Sequence, residues 1–206
     1  MIGSPPPLPS PFSGPPTPAH LEQIQAAKRM SVKIRRAVAT AKVSGWTTAI
    51  FAAGTIVLSL TSFWGIVLGA GMAVISIIEF RGVTELQRLD PTAPKRLALN
   101  QLAFGLLLFG YGAFMLWDSF YGGGGKQQIQ EMVGDMSMVG DPQMQRTMES
   151  LASTVAIALY GSVMLAAILG PGLTAVYYYT RKKYIERYLR ETPQWIIDLQ
   201  RAGMNL

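Results

Sequence analysis

Three long stretches without a charged residue constrain what this chain can fold into. They are Val43–Ile78, Leu97–Trp117 and Ser150–Thr180, which contain 36, 21 and 31 residues of a 206-residue chain. A helix of about 20 apolar residues crosses the hydrocarbon core of a bilayer, and a helix satisfies all its backbone polar groups within one segment. The sequence therefore predicts an all-α fold and, more specifically, a polytopic membrane protein.

The first stretch is too long for a single straight span. As one helix its 36 residues would extend about 54 Å, well beyond a hydrocarbon core of about 30 Å. The segment Thr61–Gly65 mixes polar and aromatic residues near its middle, which is typical of a turn at the membrane surface. We therefore expect a hairpin there and a four-helix transmembrane region over 44–180, with helices at about 44–61, 64–80, 98–119 and 151–179.

The distribution of lysine and arginine predicts the orientation of these helices. Six precede the first span, four lie between the second and third, and six follow the fourth, whereas the loop between the third and fourth has only two. Since cytoplasmic segments carry the excess of Lys and Arg, both termini are expected in the cytoplasm of a cell-membrane protein. The net charge of +6 then reflects topology and attraction to an anionic inner leaflet, so no nucleic-acid partner is expected.

The segments outside the spans differ in composition. Residues 1–18 hold eight of the thirteen prolines and are expected to be a disordered leader, either a tether or a docking peptide. Residues 19–43 and 181–206 predict basic amphipathic helices on the cytoplasmic side. The first of these either lies on the inner leaflet or docks on the tail. The outer loop 121–150 is rich in glycine and methionine.

Four polar residues are expected to meet at the cytoplasmic ends of the second and third spans. Glu79 and Arg81 end the second span, while Asn100 and Gln101 begin the third at the same level. Polar groups inside a membrane protein usually face the bundle interior, where they hold helices together or line a path for a solute. The sequence leaves both roles open for this cluster: a structural lock, or an ion or substrate vestibule.

Small residues recur at every fourth position along two predicted spans. Close approach of helix backbones in lipid depends on such residues, so the pattern predicts helix packing, either within the chain or in a homo-oligomer. Pro171, between Gly170 and Gly172, is the candidate hinge of the fourth span, because proline removes a backbone hydrogen bond. The small positions are Gly65, Gly69 and Ala73 in the second span and Ala158, Ser162, Ala166, Gly170 and Thr174 in the fourth.

No motif for catalysis or cofactor binding can be assembled from this sequence. It contains no cysteine and a single histidine, His20, so we expect neither an enzyme nor a resident cofactor. The run before Lys126 resembles a phosphate loop, but Phe120 and Gln127 occupy positions where that motif needs Gly and Ser or Thr. Methionine thioethers select Cu(I), so a copper site in the outer loop is an alternative, from Met132, Met136, Met138, Met144 and Met148.

These observations favour a non-enzymatic interaction or scaffold protein of the membrane. Partners would be a membrane protein or a second copy of the chain. The alternative is a small transporter or channel that uses the polar cluster of Glu79, Asn100 and Gln101 together with the Pro171 kink.

Overall fold

The computed structural model of the protein describes residues 17–60, 62–122 and 142–203, and every element within these ranges is helical. Residues 1–16 of the predicted leader lie outside the described residues, and so do residues 123–141 of the predicted outer loop, which include Met132, Met136 and Met138. The side chains of Met144 and Met148 are likewise not described. The helices are α1 (Pro18–Leu58), α2 (Phe63–Gln87), α3 (Ala93–Trp117) followed by a π-helical turn (Asp118–Gly122), α4 (Pro142–Glu191) and α5 (Gln194–Arg201).

Four of these helices, α1 to α4, are long and apolar enough to cross a membrane. The prediction of four such helices is confirmed, including the division of the first uncharged stretch into two. The chain turns back between Leu58 and Phe63, and Ser62 Oγ accepts a hydrogen bond of 3.4 Å from the Gly65 N–H. A serine hydroxyl at this position satisfies a backbone donor that the helix leaves unpaired.

The four long helices form an antiparallel bundle. Neighbouring helices contact in the order α1, α2, α3, α4 and back to α1. With 41 and 50 residues, α1 and α4 extend about 60 and 75 Å at 1.5 Å per residue. Both are therefore much longer than a hydrocarbon core, and their ends project beyond the apolar part of the bundle.

The first helix differs from the predicted pair of separate segments. We expected an amphipathic helix over 19–43 followed by a span over 44–61, but α1 is one continuous helix from Pro18 to Leu58. The reason is local: after Pro18 the helix meets no proline, and the buried positions repeat at helical spacing through both halves, from Ala27 to Ala52. Similarly, α4 runs beyond the predicted end of the fourth span, to Glu191.

Within the part of the chain that the structure describes, the largest hydrophobic core lies at the basic end of the bundle. We call residues 18–43, 81–96 and 181–203 the basal region. Its three segments pack against one another, as in the docking alternative for 19–43, and whether 19–43 also lies on the inner leaflet stays a prediction. The residues of the hydrophobic core cluster that belong to this region are Ala27, Ile34, Ala37, Ala41, Val83, Leu86, Leu89, Ala93, Ile185, Tyr188, Ile196 and Ile197.

Aromatic and cationic contacts join α1 to α4 and α5 within the basal region. The His20 ring meets the Trp195 ring edge to face, with 5.6 Å between centroids. His20 Nδ1 also accepts a 3.3 Å hydrogen bond from the Thr17 N–H at the start of α1. Lys33 Nζ lies 4.2 Å from the centre of the Tyr184 ring, a cation–π distance. The start of α1 is thereby held against α4 and α5.

The connection between α2 and α3 is ordered by its own hydrogen bonds. Leu89 has a φ of 59°, and the Asp90 N–H returns to the Glu85 carbonyl at 3.0 Å, as in a helix end closed by a left-handed residue. Asp90 Oδ1 accepts from the Thr92 N–H at 2.8 Å and from its hydroxyl at 2.7 Å. The Thr92 N–H, followed by the Thr92 hydroxyl and the Arg96 charge, lowers the pKa of Asp90 despite some desolvation.

Candidate functional site

The centre of the predicted polar cluster is the Glu79 carboxylate, which is 1% exposed. Two helices supply its donors. Asn100 Nδ2 donates to Oε2 at 2.8 Å and Gln101 Nε2 to Oε1 at 3.2 Å, both from α3. The Tyr178 hydroxyl donates to Oε1 at 2.8 Å from α4. The carboxylate of α2 is thus hydrogen-bonded to two neighbouring helices at once.

The fourth helix joins the cluster through the side chains of α3. Gln101 Nε2 also donates to Ser44 Oγ of α1 at 3.0 Å, and Asn100 Nδ2 also donates to the Ile75 carbonyl of α2 at 3.0 Å. One turn away, Ser76 Oγ donates to the Gly45 carbonyl at 2.9 Å, which connects α2 to α1. All four long helices therefore meet at one level of the bundle.

The structure brings together three of the four predicted cluster residues. Asn100 and Gln101 both donate to Glu79, and all three are buried. Arg81 is exposed and provides none of the three hydrogen bonds to Glu79. Residues two positions apart on a helix lie on nearly opposite faces. Because Glu79 points into the bundle, Arg81 points away from it. The prediction that Arg81 belongs to the cluster is not what the structure shows.

Sequence reasoning missed Tyr178 and Ser44. A signal existed for Tyr178: the run Tyr177–Tyr179 ends the fourth uncharged stretch at the same predicted level as Glu79. Three consecutive tyrosines point in three directions around a helix, and only Tyr178 is buried. Nothing in the sequence distinguished Ser44 from other small polar residues of α1.

The arrangement is suited to holding helices in register. All three donors to Glu79 are neutral, and each such bond between helices contributes about 1 kcal/mol. Removing the central acceptor would leave the buried Tyr178 hydroxyl unpaired, which costs about 1–3 kcal/mol. Among the described residues, no group of three or more His, Asp or Glu side chains could hold a metal ion, and Asn100 Oδ1 is buried without a partner.

The small residues of the second span pack against other helices of the same chain, which is one of the two alternatives, the other being contact between copies in a homo-oligomer. Gly65 and Gly69 are buried on the α1 side of α2. A Cβ at Gly69 would lie 2.5 Å from Ile56 Cγ1 and 3.2 Å from the Ala52 carbonyl oxygen. Ala73 is half-buried and packs against the cluster of Ala52, Leu68 and Met72. Small side chains here allow the α1 and α2 backbones to approach.

The small residues of the fourth span lie elsewhere. Ala158, Ser162, Ala166 and Gly170 are exposed and Thr174 is half-buried. The side of α4 that contacts α3 is instead formed by Ala156, Tyr160, Ala167, Pro171 and Ala175.

The candidate hinge residues stand in an unbroken helix. Pro171 is an interior residue of α4 and is buried, while Gly170 and Gly172 have open space where a Cβ would lie. The partner of Pro171 is Gly105 of α3: a Cβ there would be 3.3 Å from Pro171 Cβ and 3.0 Å from the Ala167 carbonyl oxygen. Flexing at Pro171 stays a prediction.

Comparison with known proteins identifies no relative of this chain. No protein-family model, no curated protein and no solved structure matches it. Functional inference therefore depends on the chemistry and packing described above.

Proposed function

We propose that this chain is a non-enzymatic multi-pass protein of the cell membrane that acts as an interaction or scaffold protein. Its basal region would face the cytoplasm and present the surface that partners recognise. The observation that carries this proposal is the basal core, in which α1, the α2–α3 connection, α4 and α5 pack together outside the apolar part of the bundle. Short charged flanks are sufficient to orient four membrane spans. A folded region with its own hydrophobic core is therefore expected to have an additional role.

The charge of the basal region supports the same orientation and the same role. It contains sixteen of the eighteen Lys and Arg residues but only six of the twelve Asp and Glu residues. A surface with this excess favours the cytoplasmic side and attracts acidic partners and anionic lipid. Exposed cations on α1 and α4, such as Arg29 and Arg190, are therefore expected to lie in a partner interface.

Orientation is tested by single-cysteine labelling, for which the cysteine-free chain is a suitable background. Phe63 and Arg88 are both exposed and lie at opposite ends of α2. In intact cells, a membrane-impermeant maleimide should label Phe63→Cys but label Arg88→Cys only after the membrane is opened. Labelling of both positions from the same side would contradict the proposed topology.

The scaffold role is tested by photo-crosslinking in cells that express the full chain. A photoreactive amino acid replaces Arg29 or Arg190 in the basal region, and the control replaces Val57, which is exposed near the other end of α1. We expect one reproducible protein adduct at the basal positions that is absent at the control. Identical adduct patterns at all three positions, or none at the basal ones, would contradict the proposal.

Self-association is a second part of this proposal and is supported by the exposed small residues of α4. Ala158, Ser162, Ala166 and Gly170 follow one face that is exposed among the described residues, and such faces let helices of two copies approach in lipid. Ser162→Cys should form a disulfide-linked dimer under oxidation in membranes, whereas Ile168→Cys, exposed on another face of α4, should not. Equal yields at both positions would indicate random collision.

The alternative function, a small transporter or channel, is supported by the buried Glu79 carboxylate beside the unpaired Asn100 Oδ1. It is tested by solute and ion flux in liposomes. Glu79→Ala and Tyr178→Phe both weaken the same polar cluster. If Glu79→Ala abolishes the flux and Tyr178→Phe leaves it intact, the result favours a transport role of the Glu79 carboxylate over a purely structural role. Equal losses in the two variants would indicate a structural role.

A further inference from the structure

Three cations surround the Tyr184 ring where α1 packs on α4. Lys33 Nζ of α1 lies 4.2 Å from the centre of this ring. From α4, Lys183 Nζ lies at 5.2 Å and Arg181 Cζ at 5.5 Å from the same centre. The Arg181 guanidinium is also 4.1 Å from the centre of the Tyr177 ring, one turn away. We call these five residues the cation cluster, because the two rings hold three positive charges at cation–π distances.

The carboxylates of the described residues leave this cluster without a negative charge. The ion pairs described on α4 join Lys182 to Glu186 and Arg187 to Glu191, so they include none of the three cations. On the other helix, Glu22 is the only acidic residue of α1. Like charges that are held close together repel one another. A bound anion would therefore be favoured at this place.

The Arg181 guanidinium has donors that the described part of the chain does not use. Its Nε is buried without a hydrogen-bond partner, and its contacts are the faces of the Tyr177 and Tyr184 rings. An aromatic face orients a guanidinium without accepting its N–H groups in ordinary hydrogen bonds. The same planar fork of donors matches the oxygens of a phosphate group. Arg181 is thus positioned by the protein but supplied with no oxygen acceptor among the described residues.

The position of the cation cluster along α4 indicates where an anion would come from. Arg181 is the first charged residue after the uncharged stretch Ser150–Thr180, so the cluster lies at the boundary of the apolar part of the bundle. On the apolar side of this boundary, Tyr177 and Leu173 lie one and two turns before Arg181 on the same side of the helix, and Leu173 is 69% exposed. In the proposed orientation the boundary is the head-group level of the inner leaflet, where anionic lipids are concentrated.

We propose that the cation cluster is a specific site for one anionic phospholipid of the inner leaflet. The phosphate group is held by the Arg181 guanidinium and the ammonium groups of Lys33 and Lys183. The first part of an acyl chain lies along Tyr177 and the exposed Leu173, towards the interior of the bilayer. The inference rests on the proposed membrane orientation of the chain and adds a defined lipid ligand to it. Bound lipid would also join α1 to α4, because the cations come from both helices.

The test titrates the full chain in a neutral detergent and measures dissociation constants by native mass spectrometry. The four probes are dioctanoyl phosphatidylglycerol, dioctanoyl phosphatidylcholine, sn-glycerol 3-phosphate and inorganic phosphate. We expect phosphatidylglycerol to bind at least tenfold more tightly than each of the others. If phosphatidylcholine bound equally well, recognition of a net negative charge would be overturned. If glycerol phosphate or inorganic phosphate bound equally well, the lipid assignment would be overturned in favour of a soluble phosphate.

Matched variants test the location of the site. The double variant Lys33→Gln/Arg181→Gln should weaken phosphatidylglycerol binding about thirtyfold, because each cation near an anionic group contributes about fivefold. The control Lys28→Gln/Arg190→Gln removes the same two residue types from exposed positions of the same two helices, and it should weaken binding less than about threefold. Equal weakening by both variants would overturn the site. Should the double variant fail to fold, Lys183→Gln alone locates the site, with an expected loss of about fivefold.

A variant that keeps every charge tests whether the rings organise the cations. Tyr184→Leu removes the ring that the three cations surround, and it should weaken phosphatidylglycerol binding about threefold, the size of one exposed cation–π contact. Tyr179→Leu, whose residue is 65% exposed and contacts none of these cations, should bind as the wild type does. Unchanged binding by Tyr184→Leu would show that net charge alone attracts the lipid, which overturns an assembled site.

The titration and the crosslinking experiment fail independently. Lipid binding in detergent requires no protein partner, so a negative crosslinking result leaves it unaffected. Conversely, a cation cluster that does not bind phosphatidylglycerol overturns the lipid site and leaves the scaffold proposal to its own test.

Discussion

At Gly105 the backbone of α3 lies against the backbone of α4, so alanine at this position should push the two helices apart. A Cβ added there would be 3.0 Å from the Ala167 carbonyl oxygen and 3.3 Å from Pro171 Cβ. Neither neighbour is the flexible end of a side chain. The Ala167 carbonyl is also the one that would accept a helical hydrogen bond from residue 171, and proline has no N–H to donate.

The expected magnitude follows from two opposing effects. Overpacking by one methyl group against groups that cannot rotate away costs about 1–3 kcal/mol, while alanine gains about 1 kcal/mol over glycine inside a helix. Gly105→Ala should therefore lower the free energy of unfolding by about 0–2 kcal/mol. Gly110, on the same helix, has no neighbour within 4 Å of an added Cβ, so Gly110→Ala gains the propensity without the clash.

The comparison of these two variants removes the propensity contribution. Unfolding of the full chain is followed by circular dichroism as sodium dodecyl sulfate is added to mixed micelles. We expect Gly105→Ala to be less stable than Gly110→Ala by about 1–3 kcal/mol. If Gly105→Ala were as stable as Gly110→Ala, the close approach of α3 and α4 at Pro171 would be refuted.

Three further substitutions test other contacts. Tyr178→Phe should lower the free energy of unfolding by about 1 kcal/mol, through loss of the 2.8 Å hydrogen bond to Glu79; an equal loss for Tyr179→Phe, whose residue is 65% exposed, would contradict this. Because folding lowers the pKa of Asp90, its ionised carboxylate stabilises the folded protein. This stabilisation is fully present above the usual pKa of Asp and is lost as the pH falls through the lowered pKa of the folded protein, and Asp90→Ala should remove it. A wild-type-minus-variant difference that is constant across this pH range would refute it. Trp195→Ala should raise amide hydrogen exchange in α5 on the order of tenfold, because the ring contact with His20 is lost; unchanged exchange would show that α5 docks without it.

Much of the fold could be predicted because it depends on properties of single segments. The absence of charge over 36 residues predicted a hairpin, since a helix of that length cannot remain inside a hydrocarbon core. Thr17 and Pro18 likewise suit the start of α1, because a cap followed by proline fits the first turn of a helix. Each of these inferences needs only local geometry and the composition of one stretch.

The faces of the helices could not be predicted in the same way. The small-residue pattern of α4 marked Ala158, Ser162 and Ala166 as packing residues, but these lie on the exposed side. The side that packs on α3 includes Tyr160 and Pro171, because the glycines of α3 make room for larger groups opposite them. Gly105 and Gly112 supply that room, and a pattern within one helix does not reveal its counterpart in another.

The sequence by itself determined that this protein is helical and has four stretches capable of crossing a membrane. Those properties follow from hydrophobicity summed along the chain, which no later contact can change. Only the tertiary structure decided that Glu79 is hydrogen-bonded to Tyr178, 99 residues further along the chain, and that α1, α4 and α5 share one basal core. Contacts of this kind depend on which helix faces meet, and that choice is made by complementary packing among all four helices rather than by any one segment.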